Sequence, residues 1–336
     1  MPHTSHGEPG TTRPGSFGFP VVLATSADQK PFGAASVSRS TGFFAGAMAT
    51  LLLIHWTGVS LGRNELTMAA CLAILLFGLP HGTLDLEIIK RERGTGRVGM
   101  LGLLGIYLGL AAAMATMWQL APVGALAMFV VVAVIHFAED WADLGSAFLA
   151  QGMAIALITA PALLHLADLE HLFVALSGRG EAALVANLML LLAPMSASVA
   201  GVAIAMLWRT GFRNQAVVGT ISLAGMILLP PVIGFACFFC LVHSPRHLGM
   251  AFAQTGFAPG SRWTVPLVTL AALGISAVLF AADPRSDMSA RVIAASFMTL
   301  SVLTIPHMMV PFVVDVIAGQ RSRAPISDSN DNRRTG

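Results

Sequence analysis

Charge is what this chain has least of. Only 11% of its 336 residues are Asp, Glu, Lys or Arg, against about 25% in a water-soluble domain. So poor a charge content excludes an ordinary soluble globule, and no nucleic-acid partner is expected. Cysteine is equally scarce: three residues cannot build a disulfide framework. Two of them, Cys237 and Cys240 in "CFFC", have redox-motif spacing. They lie in an apolar run, however, where packing is the better account. A signal peptide is not expected either, because the first long apolar stretch begins near Thr41.

What the chain does have is hydrophobicity. Its residues are 55% apolar and its mean hydropathy is +0.76. Many uninterrupted runs approach the ~20 residues a helix needs to cross a bilayer. The expected fold class is therefore all-α, a polytopic integral membrane helix bundle. Residues 1–40 are rich in Gly, Pro, Ser and Thr and read as a disordered tail; 41–318 form the membrane domain, and 319–336 a second polar tail. Ten apolar segments are expected, at 42–62, 68–89, 98–118, 122–142, 146–166, 183–208, 215–229, 231–253, 264–282 and 291–317. Segment seven is short, which leaves eight to ten crossings.

The division between segments seven and eight rests on Pro230-Pro231, read as a turn rather than a kink. With ten spans both tails are cytoplasmic. Lys30, Arg39, the "KRERGTGR" loop, Arg209, Arg213, Arg262 and the C-terminal arginines then share that side, a positive-inside bias. The turn also makes the even-numbered helices run in the same direction. His81, His136, His243 and His307 then fall at a common depth of roughly 18–24 Å, at 1.5 Å per residue.

Ionisable residues in lipid are costly, so they mark function by default. "GLPHGTLDLE" sets His81 and Asp85 four apart, hence on one helix face, and "VIHFAEDW" repeats the spacing with His136 and Asp140. "HSPRH" puts His243 and His247 on one face, with Arg246 beside them; "TIPHMM" adds His307. Imidazole is a common ligand for iron, copper and zinc, and a nearby carboxylate can fix the tautomer. Asp85 and Asp140 are placed for that supporting role, and either can also ligate. Proline stands before His81 and His307 and between the paired histidines, where it frees a carbonyl and widens the bundle. Arg246 is expected to cap such a carbonyl, to pair with Asp85 or Asp140, or to snorkel toward the cytoplasmic face. His55 stands alone and reads as a packed residue, whereas His165 and His171 flank the acidic stretch "HLADLEH" and read as a solvated loop.

In combination and order, "GLPHGTLDLEI", "HFAEDW", "CLVHSPRHL" and "IPHMMV" resemble the Brp/Blh family of bacterial and archaeal membrane β-carotene 15,15'-dioxygenases, over about residues 68–317. The resemblance implies an Fe(2+) site whose four ligand histidines map onto His81, His136, His243 and His247. Asp85, Asp140, Arg246 and His307 become its supporting residues. It implies O2-dependent cleavage of β-carotene into two molecules of retinal, a multi-pass location in the cytoplasmic (inner) membrane, and hand-off of retinal to a rhodopsin. Two other classes compete. Facing histidines also suit a bis-His haem electron-transfer protein, and broken helices with intramembrane His and Asp also suit a proton-coupled transporter. A diiron desaturase needs several histidine boxes, and only one HxxxH is present.

Overall fold

The structure, a computed structural model, describes residues 34–58, 63–78, 97–255, 261–285 and 287–322. Among them there is no strand. Helices α1 (Ala34–Trp56), α2 (Arg63–Gly78), α3 (Arg97–Leu120) and α4 (Pro122–Ala138) open the chain. A 3-10 turn, Glu139–Leu144, follows α4. Next come α5 (Ala147–Thr159), α6 (Ala162–Ser177), α7 (Ala183–Arg209) and α8 (Arg213–Leu228). Then α9 (Pro231–Phe238) passes through a π turn (Phe239–His243) into α10 (Ser244–Thr255), before α11 (Ser261–Ala282) and α12 (Met288–Ser322).

Backbone amides have no water to bond in lipid, and apolar helices satisfy them internally. Of the described helices, five are long and apolar enough to cross a bilayer: Leu101–Leu120, Pro122–Leu144, Gly180–Arg209, Pro231–Met250 and Met288–Met309. The pair α5 and α6 qualifies as a sixth, bent by 64°. Ser40–Trp56, Asn64–Phe77 and Thr269–Ala282 are apolar but shorter. Five to six crossings by length and composition is fewer than the ten segments drawn from hydropathy, although the helices fall where those segments were drawn. The 146–166 segment differs most. It breaks at Pro161, and "HLADLEH" is part of α6 rather than a loop. His165 sits at non-helical angles there (φ −126°, ψ 37°).

The turn at Pro230 is as expected. Gly234 packs against the main chain of Gly225 and Met226, so that an added Cβ would lie 3.0 Å from the Gly225 carbonyl oxygen. Nine residues of continuous helix would separate those positions by about 13 Å. The chain therefore reverses at Leu229-Pro230, and α9 returns along α8.

Helices in a bilayer gain little from hydrophobic burial against one another; close approach and interhelical hydrogen bonds hold them. Gly152 on α5 has no room for a Cβ against Val199 of α7. Two turns further along α5, Thr159 shares a hydrogen bond of 3.0 Å with Ser196 between the same two helices. Helix α12 is tied to α3 by the Trp118 indole, which donates to Ser301 Oγ at 2.7 Å. Outside the spans, Arg285 donates to the Ala175 carbonyl and to Asp283, and its hydrogen bonds to Asp283 hold that carboxyl below its usual range. That staple joins the start of α12 to the end of α6. The 3-10 turn after α4 closes on Gly145 at φ +64°, a conformation that favours glycine. Ser146 then caps α5 by accepting from the Leu149 amide.

Candidate metal centre

Three elements bring the site together. His136 lies in the last turn of α4, where burial leaves it 2% exposed. Past Ala138 the chain tightens to 3-10 winding, which advances about 120° per residue instead of 100°. That extra rotation turns Asp140 away from His136 and toward α10. There its Oδ2 lies 2.7 Å from His243 Nδ1 and its Oδ1 lies 3.3 Å from His247 Nε2. Asp140, His243 and His247 offer ligand atoms all within 4.8 Å of one another.

The expected pairing of Asp140 with His136 on one helix face is thus replaced. Asp140 serves the two histidines of the facing segment, and Glu139 stands beside His136 Nδ1 at 3.6 Å. Glu139 was not singled out by spacing, because a neighbour at i+3 that ends an α-helix is seen only once the 3-10 turn is known.

His243 is fully buried, in the last position of the π turn. Wide π turns are rare and concentrate at functional sites. This one ends just before Pro245, which cannot donate to the Leu241 carbonyl. With Nδ1 turned to Asp140, the other nitrogen of His243 points at His136, and the two Nε2 atoms are 3.0 Å apart. The His247 ring is centred 4.4 Å from that of His243 and 5.2 Å from that of His136. His307, from α12, brings its ring to 5.0 Å from His136. Four of the candidate histidines therefore converge from α4, the π turn with α10, and α12. His81 and Asp85 lie outside the described residues.

The donor set suits a metal ion. Nitrogens at about 2.1 Å from one ion and at a right angle to each other lie about 3 Å apart, which is the His136–His243 spacing. The His243 ring also has a carboxylate behind it on Nδ1, that of Asp140 at 2.7 Å, which holds the proton on Nδ1 and leaves the Nε2 lone pair facing His136.

Arg246 takes a more specific place than the three expected for it. Its Nη1 donates to the Asp140 main-chain carbonyl at 2.5 Å, and its Nη2 pairs with Asp143 at 3.1 Å. Gln215 of α8 donates to the same Asp143 carboxylate. Arg246 thus clamps α10 to the 3-10 turn through the backbone of Asp140, without touching its carboxylate. Asp143 and Gln215 carry no sequence signal for this; they are brought in by the tertiary fold.

Beside the histidines lies a space of about 270 Å³ lined by His136, Phe137, Phe239, Leu300 and Thr304 together with Phe129, Ala133 and Phe235. The last three also line a second space, of about 580 Å³, whose other walls are apolar side chains from α4 to α9 and α12. Away from this centre, His55 is exposed, and its ring lies 6.5 Å from His165. Cys237 is buried and Cys240 partly buried, both as free thiols.

The profile of the family described as beta-carotene 15,15'-dioxygenase matches residues 72–315. A protein of Halobacterium salinarum named as a probable beta-carotene 15,15'-dioxygenase Blh is 26% identical over 89% of this chain and 98% of its own length. A beta-carotene 15,15'-dioxygenase of the uncultured marine bacterium 66A03 is 24% identical over 77% of this chain and 93% of its own. No solved structure matches. The family profile covers well over half of the sequence and includes every residue of the histidine cluster, so the chain belongs to the beta-carotene 15,15'-dioxygenase family.

Proposed function

We propose that this protein is a membrane dioxygenase that cleaves the central 15,15' double bond of β-carotene to two molecules of all-trans-retinal. The observation that carries the reading is the juxtaposition of a buried His/Asp cluster with an apolar space that reaches into the bundle. The balance is simple: the central C=C bond breaks, each carbon takes one atom of one O2, and a symmetric C40 substrate gives two identical C20 aldehydes. The metal is Fe(2+), held by His136, His243 and His247 with His81, and bound there it would activate O2 beside the polyene.

The chain's own residues do the positioning. Asp140 keeps the Nδ1 proton of His243 in place. Phe137, Phe239 and Leu300 keep bulk water from the cluster. The polyene arrives laterally from lipid, because it is insoluble in water, and retinal passes on to a rhodopsin. The protein sits in the inner membrane with ten crossings and both tails cytoplasmic.

Expression in a β-carotene-accumulating bacterium tests the class: pigment should bleach and retinal accumulate, only in the presence of O2. A carrier or transporter would leave the pigment intact, and a haem protein would show itself in reduced-minus-oxidised spectra. Longer apocarotenals in place of retinal would disprove central cleavage while leaving an oxygenase. His307 is assigned to shaping the cavity beside His136 rather than to ligation. His307→Ala should therefore keep its iron, by elemental analysis, and lose rate. Loss of iron together with activity would make it a ligand.

A further inference from the structure

The two apolar spaces adjoin where Phe129, Ala133 and Phe235 line both, and at this neck Ala133 is the one small side chain. Along α4, Leu126, Phe129, Ala133 and His136 recur at three- and four-residue intervals and so share one face. Leu126 lines only the larger space, Phe129 and Ala133 line both, and His136 lines only the smaller one. This helix face thus runs from the far cavity through the neck to the histidines, over about 15 Å from Leu126 to His136.

The opposite wall is flat. Phe235 stacks on Phe239 with centroids 5.2 Å apart and planes 16° from parallel. Phe239 stacks in turn on His243 at 5.3 Å and 12°. The rings stand four residues apart, and they form a column whose last member is a candidate ligand. Phe297 buttresses Phe235 from α12 at 5.7 Å. A column of parallel rings facing a helix stripe leaves a slot, and Ala133 is the only stripe residue at the neck without a long side chain. No side chain lining the larger space bears a hydroxyl, amide or charge.

We propose that this slot is the track of the polyene, that Ala133 sets its width, and that the cavity bounded by Leu126 takes one unsubstituted hydrocarbon end of the substrate. The proposal rests on the carotenoid reading above and adds what decides which bond stands beside His136 and His243. A planar conjugated chain lies along the ring column, and the cyclic end group, too thick for the neck's width to hold loosely, comes to rest beyond it. The depth of the far cavity then acts as the stop.

The test uses the full-length protein in detergent, with β-carotene as the probe. Binding is measured anaerobically by pigment retained per protein, and products are measured after O2 is admitted. Ala133→Leu should lower both β-carotene retention and kcat/KM at least tenfold, with iron content and thermal unfolding close to wild type. Leu126→Phe shortens the cavity without narrowing the neck. It should keep binding and iron but move cleavage off centre, giving one aldehyde longer and one shorter than retinal. Wild-type retention and rate in Ala133→Leu would overturn the track, and so would unchanged retinal from a folded Leu126→Phe. Should Ala133→Leu fail to fold, the Leu126→Phe products alone decide. A wild-type protein that retains β-carotene without cleaving it would refute the dioxygenase reading, and the retention of Ala133→Leu would still decide the track. One that retains none would refute both.

Discussion

His243→Ala should reduce retinal formation to background and strip iron from protein purified without oxygen. Of the described histidines, His243 is the most deeply committed: it has no exposed surface, its Nδ1 faces Asp140 at 2.7 Å, and its Nε2 faces His136 at 3.0 Å. Alanine removes a donor from the centre of the cluster and leaves the Asp140 carboxylate without its nearest partner. Removing one member of a buried pair costs on the order of 3–5 kcal/mol in soluble proteins, so some loss of thermal stability should accompany the loss of metal. His136→Ala and His247→Ala should likewise lose iron and activity, and so should His81→Ala. His136→Ala removes no carboxylate partner closer than Glu139 at 3.6 Å and should destabilise less. The measurements are elemental analysis, retinal by chromatography and thermal unfolding on the same preparations. Two of these variants that hold full iron and full rate would be incompatible with the site.

Much of this architecture is legible without coordinates, and the reason is lipid. A bilayer forces every span to be helical and makes each buried His, Asp or Arg conspicuous, so "HFAEDW" and "HSPRH" stand out as soon as the apolar runs are drawn. The reversal at Pro230 was legible for the same reason, through the direction it imposes on the helix carrying His243. Hydropathy says less about length. Ser40–Trp56, Asn64–Phe77 and Thr269–Ala282 are apolar but short, and Arg213–Leu228 has only 16 residues, which is why ten apolar segments become five or six helices that satisfy the span length. Periodicity misled where winding changed. A straight helix puts Asp140 on the face of His136, and the 3-10 turn at Glu139 gives it to His243 and His247 instead. The acidic stretch after His165 looked like a loop because its polar residues interrupt the apolar run, yet it continues as helix beyond Pro161. Nothing in the spacing of Asp143 or Gln215 announces the clamp on Arg246, because those partners come together only when α8, α10 and the 3-10 turn meet. Ala133 was invisible for a different reason: its role is to be small.

Asp140→Asn should separate the work of the carboxylate from that of the fold. The substitution preserves volume, and Arg246 grips the main-chain carbonyl at 140 and the side chain at 143, so the clamp between α10 and the 3-10 turn survives. What changes is the acceptor. The carboxylate presents two oxygens, one toward His243 Nδ1 and one toward His247 Nε2, whereas the amide presents one oxygen and one donor. If the oxygen stays with His243, the NH2 group meets His247. If the amide flips, His243 is driven to carry its proton on Nε2, the nitrogen that faces His136. Either way one imidazole loses the orientation and the basicity that an anionic partner supplies. Substitution of such outer partners typically costs 10- to 100-fold in metal affinity or activity, and that is the expected loss, smaller than for any histidine. Iron retention against a graded chelator series should fall in parallel with rate, while thermal unfolding of the metal-free protein stays close to wild type. Asp140→Ala should lose more iron than Asp140→Asn, because it leaves both ring N–H groups without an acceptor. An Asp140→Asn protein with wild-type iron affinity and rate would remove Asp140 from the centre and leave its contact with His243 a matter of packing alone.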